Sequence, residues 1–188
     1  MTEVTSENRY YREWFLVQTL EGQPQVELRR RVPPERFEMI ADDVCLVAPV
    51  RFRVRFSGVP QRVRVRGWVR TQVQLQCDRC LVHYDQTIDV RFDSIYLPLS
   101  EAPTDSRRLT QPEDAITTFF EQERIDVWVM IHEQILLQVP FKRLCRADCR
   151  GICPTCGANR NVETCVCTEE LIDPRWEPLA RLRRLLSR

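Results

Sequence analysis

From Arg51 the chain alternates residue by residue. Arg51, Arg53 and Arg55 are interleaved with Phe52, Val54 and Phe56, and Ser57-Gly58-Val59-Pro60 then turns the chain. Beyond the turn Val63, Val65, Val69, Val73, Leu75 and Cys77 fall on one side, and Arg62, Arg64, Arg66, Trp68, Arg70, Gln72 and Gln74 on the other. A period of two over this length predicts a half-buried β-hairpin. Residues 86–96 alternate again, with Asp89, Arg91 and Asp93 on a common side. Nearer the N-terminus, 13–20 and 26–32 flank Glu21-Gly22-Gln23-Pro24 and predict two strands around a turn. Phe37, Ile40 and Ala41 have helical spacing after Pro34, enough for one or two turns. Residues 97–112 are rich in proline, serine and threonine and read as an exposed loop, and 115–120 as an edge strand.

The period then changes. From Asp126, a good N-cap, Trp128, Ile131, Ile135 and Gln138 fall on one helical stripe, widened by Val127, Met130 and Leu137. Pro140 stops this helix, and its apolar character places it against the sheet. Asp173-Pro174 opens a terminal helix in the favoured N-cap and first-position order. Trp176, Leu179, Leu182 and Leu186 line one side of it, with Arg175, Arg181, Arg183, Arg184 and Arg188 as a basic cluster.

Charge changes the picture on the hairpin. Its outer face carries seven arginines around Trp68, and like charges directly opposite one another destabilise a sheet. Acids of a neighbouring strand or an external polyanion must offset them, and Asp89 and Asp93 are too few. The net charge of +1 favours no partner, but of 28 basic residues only Lys142 is lysine. Arginine suits bidentate phosphate contacts and stacking on bases. Arg51, Arg53, Arg55, Arg62, Arg64, Arg66, Trp68 and Arg70 are therefore the candidate nucleic-acid contact set, with a solvated mixed-charge face as the competing reading. No apolar segment approaches the ~20 residues that cross a bilayer, and the polar start is unlike a signal sequence. These features predict a protein of a reducing bacterial cytoplasm, with no membrane partner. Cys45 is expected to be a buried small apolar residue.

Six of the nine cysteines crowd between Cys145 and Cys167, a stretch without an apolar run able to bury a core. Tetrathiolate zinc sites use close cysteine pairs on tight turns. Cys153-Pro154-Thr155-Cys156-Gly157 has that form, and Cys165 with Cys167 would complete one site. Cys145 and Cys149 need partners, for which Cys77-Asp78-Arg79-Cys80 is the other close pair. Pairing Cys77/Cys80 with Cys153/Cys156 stays open on spacing alone. Joining Cys80 to Cys145 closes a loop of about 64 residues at an entropic cost of roughly 4 kcal/mol. A structural zinc site supplies about 10–16 kcal/mol, so two zinc ions are expected on eight cysteines. A disulfide framework is disfavoured by a length that supports a core without staples. His83 reads as a loop residue, and His132-Glu133 lacks the second histidine of a metalloprotease, because position 136 is leucine.

The fold expected is α+β: a mainly antiparallel β-sheet or partly open barrel with one packed helix, a C-terminal cysteine-rich zinc module and a terminal helix. Its parts are a β-rich region 1–144 carrying the Cys77/Cys80 knuckle and helix 126–138, the module 145–170, and a basic helix 171–188.

Cys77-Asp-Arg-Cys-Leu81, Leu136-Leu-Gln-Val-Pro140, the run from Leu144 to Asn159, Cys165-Val-Cys167 and Asp173-Pro-Arg-Trp176 closely resemble the YceD family, the large ribosomal RNA subunit accumulation proteins. The resemblance spans roughly 10–186 and is most specific in the cysteine run. It implies a non-enzymatic ribosome-biogenesis factor supporting accumulation or processing of large-subunit (23S) ribosomal RNA. The implied partners are ribosomal RNA or a pre-ribosomal particle and a ribosomal protein, with no small-molecule substrate. Sites closed by four thiolates leave no open coordination position for hydrolysis, which argues against an enzyme. The rival reading is a zinc-stabilised adaptor that binds a ribosomal protein or processing enzyme without touching RNA.

Overall fold

The computed structural model describes residues 13–37, 43–103 and 116–167. The terminal helix expected over 171–188 lies outside them. The chain divides into two units, one of Met1–Gln76 with His83–Arg143 and one of Cys77–Val82 with Leu144–Arg188.

The first unit is a sheet protein. Its elements are β1 (Trp14–Leu16), the short α1 (Thr19–Gly22), β2 (Gln25–Val32), β3 (Cys45–Leu46), β4 (Val50–Val59), β5 (Arg62–Gln76), β6 (His83–Pro98), β7 (Thr117–Phe120), β8 (Arg124–Asp126) and α2 (Val127–Leu136). The main sheet has the order β2-β4-β5-β6-β7, with β3 also on β5. It is antiparallel except that β7 runs parallel to β6 at its edge. With β2 and β7 at its ends, the sheet is open and is not a closed barrel.

The alternation becomes two faces. Val50, Phe52, Val54 and Phe56 of β4 and Val63, Val65, Val69, Val73 and Leu75 of β5 are all fully buried. The core they form also takes Val127, Trp128, Met130, Ile131 and Ile135 of α2. Phe15 stacks on Phe56 with ring centroids 3.8 Å apart, and Phe37 lies 3.8 Å from Trp128. The Asp126 carboxylate caps α2, accepting from the N–H groups of Trp128 and Val129 at 2.9 and 3.2 Å. Gly67 interrupts the inward valines for a steric reason. A methyl there would fall 2.5 Å from the Arg53 carbonyl oxygen and 2.8 Å from the Phe92 ring.

Several expectations change. Residues 13–20 and 26–32 do not pair with each other: β1 joins β8 as a separate ribbon, and β2 pairs with β4. Thr19 to Gly22 forms a helical turn, so the strand expected to Leu20 ends early and Glu21 and Gly22 lie in helix within the expected turn. After Pro33 only a 3-10 turn, Pro34–Arg36, is present, and 38–42 lie outside the described residues. Cys45 is exposed, not buried, because it is Val44, just before this short strand, that is buried in the core. Leu137 is 75% exposed just past the end of α2 and adds nothing to the buried stripe. Strand β6 begins at His83 and runs to Pro98, longer than the alternation over 86–96 indicated, because pairing with β5 extends its start and pairing with β7 its end. Among the described residues no helix is long and apolar enough to cross a membrane.

Candidate metal centres and basic face

In the second unit two cysteine turns share one backbone design. The N–H of Leu81 donates to the Cys77 carbonyl at 2.9 Å, and that of Gly157 donates to the Cys153 carbonyl at 2.9 Å. Each follows its C-x-x-C pair in the left-handed region, at φ 59° for Leu81 and 75° for Gly157. Glycine adopts that conformation freely, whereas leucine does so at a cost of roughly 1–2 kcal/mol. Such turns aim N–H groups back at the first sulfur. Burial pushes the Cys77 thiol up, but backbone N–H donors from Cys145, Cys80 and Arg79 outweigh it and bring it down to about 6. Backbone donors of Cys156 and Thr155 likewise hold Cys153 down to about 6.

The sulfurs gather in two sets, Cys77, Cys80, Cys145 and Cys149, and Cys153, Cys156, Cys165 and Cys167, each within 4.8 Å of one another. Cys77 and Cys80 are thus beside Cys145 and Cys149, not beside Cys153 and Cys156. All nine cysteines are free thiols. Separations are 3.8 Å for Cys77–Cys149, 3.6 Å for Cys80–Cys145, 3.6 Å for Cys156–Cys165 and 3.4 Å for Cys153–Cys165. A disulfide would bring them to about 2.05 Å. Four thiolates at about 2.3 Å around one tetrahedral ion would stand roughly 3.8 Å apart, so the donor sets fit a structural tetrathiolate site. His83, at the start of β6, belongs to neither set.

Sequence reasoning missed Asn161. Its side-chain N–H donates to the Cys149 sulfur at 3.3 Å, while its amide oxygen accepts from the Arg150 N–H at 2.9 Å and from the Arg146 guanidinium at 2.7 Å. Burial pushes Cys149 up, but this amide donor and the Gly151 N–H bring it down. A hydrogen bond of this kind orients a ligating sulfur and lowers its basicity. No motif announces it, because only the turn over 158–163 brings Asn161 back to Cys149. Gly151 is required nearby: its φ is 74°, and a methyl would lie 3.0 Å from the Arg79 carbonyl oxygen.

The outward face of the main sheet is organised in rows fixed by register. One row runs Glu27, Arg55, Arg66, Asp93; the next Arg29, Arg53, Trp68, Arg91; the next Arg31, Arg51, Arg70, Asp89. Arg64 lies one row beyond, and Arg62 sits at the β4–β5 turn opposite Val59. Glu27 accepts from Arg53 at 2.7 Å and from Arg55 at 3.4 Å. Asp93 is shared by Arg64, at 2.9 and 2.8 Å, and Arg66, at 3.0 Å. Arg70 donates to Asp89 at 3.0 Å and holds its guanidinium 5.2 Å from the Trp68 ring centre. The Arg53 hydrogen bond draws the Glu27 carboxyl below its usual range, and the Arg64 hydrogen bond does the same to Asp93. Arg29, Arg31 and Arg91, not in the candidate set above, join the face. The alternation of Glu27, Arg29 and Arg31 was visible, but not the strand that β2 would pair with.

A profile of the YceD family, "Large ribosomal RNA subunit accumulation protein YceD", matches residues 65–183. The chain belongs to this family. The match takes in all eight clustered cysteines and, of the basic face, Arg66, Trp68 and Arg70 of β5 and all of β6. An uncharacterised protein of Mycobacterium tuberculosis is 31% identical over 145 residues, 77% of this chain and 66% of that one. One of Mycobacterium leprae is 29% identical over 132 residues, 70% of this chain and 58% of the relative. The Arabidopsis thaliana chloroplastic YCED homolog 1, named a large ribosomal RNA subunit accumulation protein, is 26% identical over 163 residues, 74% of this chain and 50% of its own length. The chain thus spans half to two thirds of the length of these relatives. No solved structure is significantly similar to it.

Proposed function

We propose that this YceD-family chain is a non-enzymatic factor in large-subunit ribosomal RNA accumulation that binds the RNA through the arginine face of its main sheet. The observation that carries the reading is the charge on that face. Nine arginines stand in the rows from Arg64 to Arg70 against Glu27, Asp93 and Asp89. An excess of guanidinium groups around one tryptophan on a flat sheet suits a phosphate backbone and an unstacked base. The names of the plant relatives supply the class of RNA. We assign one zinc ion to Cys77, Cys80, Cys145 and Cys149 and a second to Cys153, Cys156, Cys165 and Cys167. Four thiolates close each site, so the metals stabilise the fold and leave no position for a reacting water. A pre-ribosomal particle in the cytoplasm is the setting in which such a factor would act.

The test is binding of labelled large-subunit ribosomal RNA fragments by the metal-loaded chain across a salt series. Affinity should fall steeply and linearly in log–log form. Weak, salt-independent binding would instead favour an adaptor that recognises a ribosomal protein.

A further inference from the structure

The arginines of the basic face are not equivalent, and their ion pairs divide them. Arg53 and Arg55 are drawn to Glu27, Arg64 and Arg66 to Asp93, and Arg70 to Asp89. A phosphate approaching these groups meets a carboxylate at the same place. Among the described residues Arg29, Arg31, Arg51 and Arg91 form no ion pair with an acid. Three of the four are neighbours. Arg31 stands directly opposite Arg51 on β4, and Arg29 is two positions along β2 from Arg31. Cross-strand partners are about 4.5–5.5 Å apart and alternate residues of a strand about 6.8 Å. Three like charges this close on a sheet repel one another, and the acid next along β2, Glu27, two positions from Arg29, is taken by Arg53 and Arg55.

From the same corner a row leads to an aromatic site. Arg29 and Arg53 precede Trp68, and Arg91 follows it on β6. Trp68 and the backbone of Gly67 line a shallow depression of about 220 Å³ walled by Arg53, Arg55, Arg66 and Arg91, with Glu27 at its side held by Arg53 and Arg55. Trp68 is half-buried there, held from one side by the Arg70 guanidinium. A duplex offers a flat face only its phosphates, because its bases are stacked inside. A single strand offers phosphates and the π-faces of its bases together.

Resting on the RNA-binding reading, we infer that this face takes an unpaired RNA segment, its phosphates on Arg29, Arg31 and Arg51 and one base stacked at Trp68, leading across the strands towards Arg91. The paired arginines frame the depression and contribute little to the salt-dependent contact.

The experiment uses the metal-loaded full chain, a fluorescent single-stranded RNA about 12 nucleotides long, within the range of single-strand site sizes, and the duplex of the same sequence. In Arg31→Gln/Arg51→Gln the log–log salt slope should fall by about 1.4, from about 0.7 per lost contact, with at least a tenfold loss of affinity at low salt. Arg64→Gln/Arg66→Gln/Asp93→Asn removes as many arginines together with their acid, and should lose less than half as much slope. Trp68→Leu should reduce the preference for single strand over duplex at least tenfold and leave the slope as it was. All these side chains lie on the outward face, and unchanged zinc content and circular dichroism confirm folding. If the triple variant loses as much slope as the Arg31/Arg51 variant, or if Trp68→Leu keeps the wild-type preference, the inference fails while RNA binding stands. If polyglutamate occupies the Arg31/Arg51 patch more tightly than RNA, the inference also fails, in favour of an acidic protein. If the wild-type chain binds neither RNA form at any salt, the RNA-binding reading itself falls.

Discussion

The two units are built on different interiors. In the sheet unit the interior is hydrocarbon: Phe52, Phe56, Leu75 and Ile131 are wholly buried and touch a shared core. In the cysteine unit, among the described residues, the buried positions are Cys77, Cys80, Cys149, Cys153 and Gly151. Its apolar side chains face outward, with Val162 78% and Val166 88% exposed. Burial of apolar surface, at about 25 cal/mol per Å², accounts for the first unit and supplies almost nothing to the second. On the proposed metal assignment, a region with sulfur at its centre obtains its folding free energy from what the sulfurs bind.

Removing metal is therefore the harshest test of that contrast. A strong zinc chelator should withdraw about 10–16 kcal/mol per site from the cysteine unit. Amide hydrogen exchange over 144–167 should become fast, whereas amides of β4, β5 and β6 facing the core should remain protected. Retained protection over 144–167 after complete chelation would mean that the cysteine unit has an apolar interior after all. Acid should act in the same direction. Zinc needs its cysteines deprotonated, so protons compete with the metal for the sulfurs of both sets and its affinity falls with pH. Zinc release followed with a chromophoric indicator should accordingly rise on acidification, never on alkalinisation.

The reverse test leaves the metals alone. Phe52→Ala opens a cavity under β4 and should cost about 3–5 kcal/mol of unfolding free energy in the sheet unit, read from urea denaturation. Zinc bound per chain in native buffer should not change. A loss of metal in this variant would show that the two units do not fold as separately as their interiors suggest.

How much of this could be read beforehand follows the same divide. Period-two alternation located β4, β5 and much of β6 and sorted their faces correctly, because each residue's side depends only on its neighbours in sequence. The partner of β2 could not be read: VELRRRV alternates equally well against any strand, and only the pairing with β4 carries Arg29 and Arg31 to the tryptophan row. For the same reason the partner of β1 could not be read, since β8 is more than a hundred residues away. Close spacing marked the C-x-x-C turns, because each knuckle is local. Asn161 gave no sign, because its role depends on a chain reversal. Cys45 was misjudged from residue type, where position relative to Val44 decides exposure.

The smallest expected effect concerns the ion pairs of the basic face, which belong to neither interior. Asp93 touches Arg64 and Arg66, yet its carboxylate is 38% exposed and both guanidinium groups are more exposed still. Water and salt screen such a pair, and its contribution is about 0–1 kcal/mol. Because the Arg64 hydrogen bond lowers the Asp93 pKa, whatever it contributes is present above the normal carboxylate range and lost as pH falls below it. Asp93→Asn should shift the thermal midpoint by a few degrees at most at neutral pH and by less in high salt. A shift as large as that of Phe52→Ala would mean that the face is held together by its charges, and that arginines committed to acids could not be released to a phosphate without loosening the sheet.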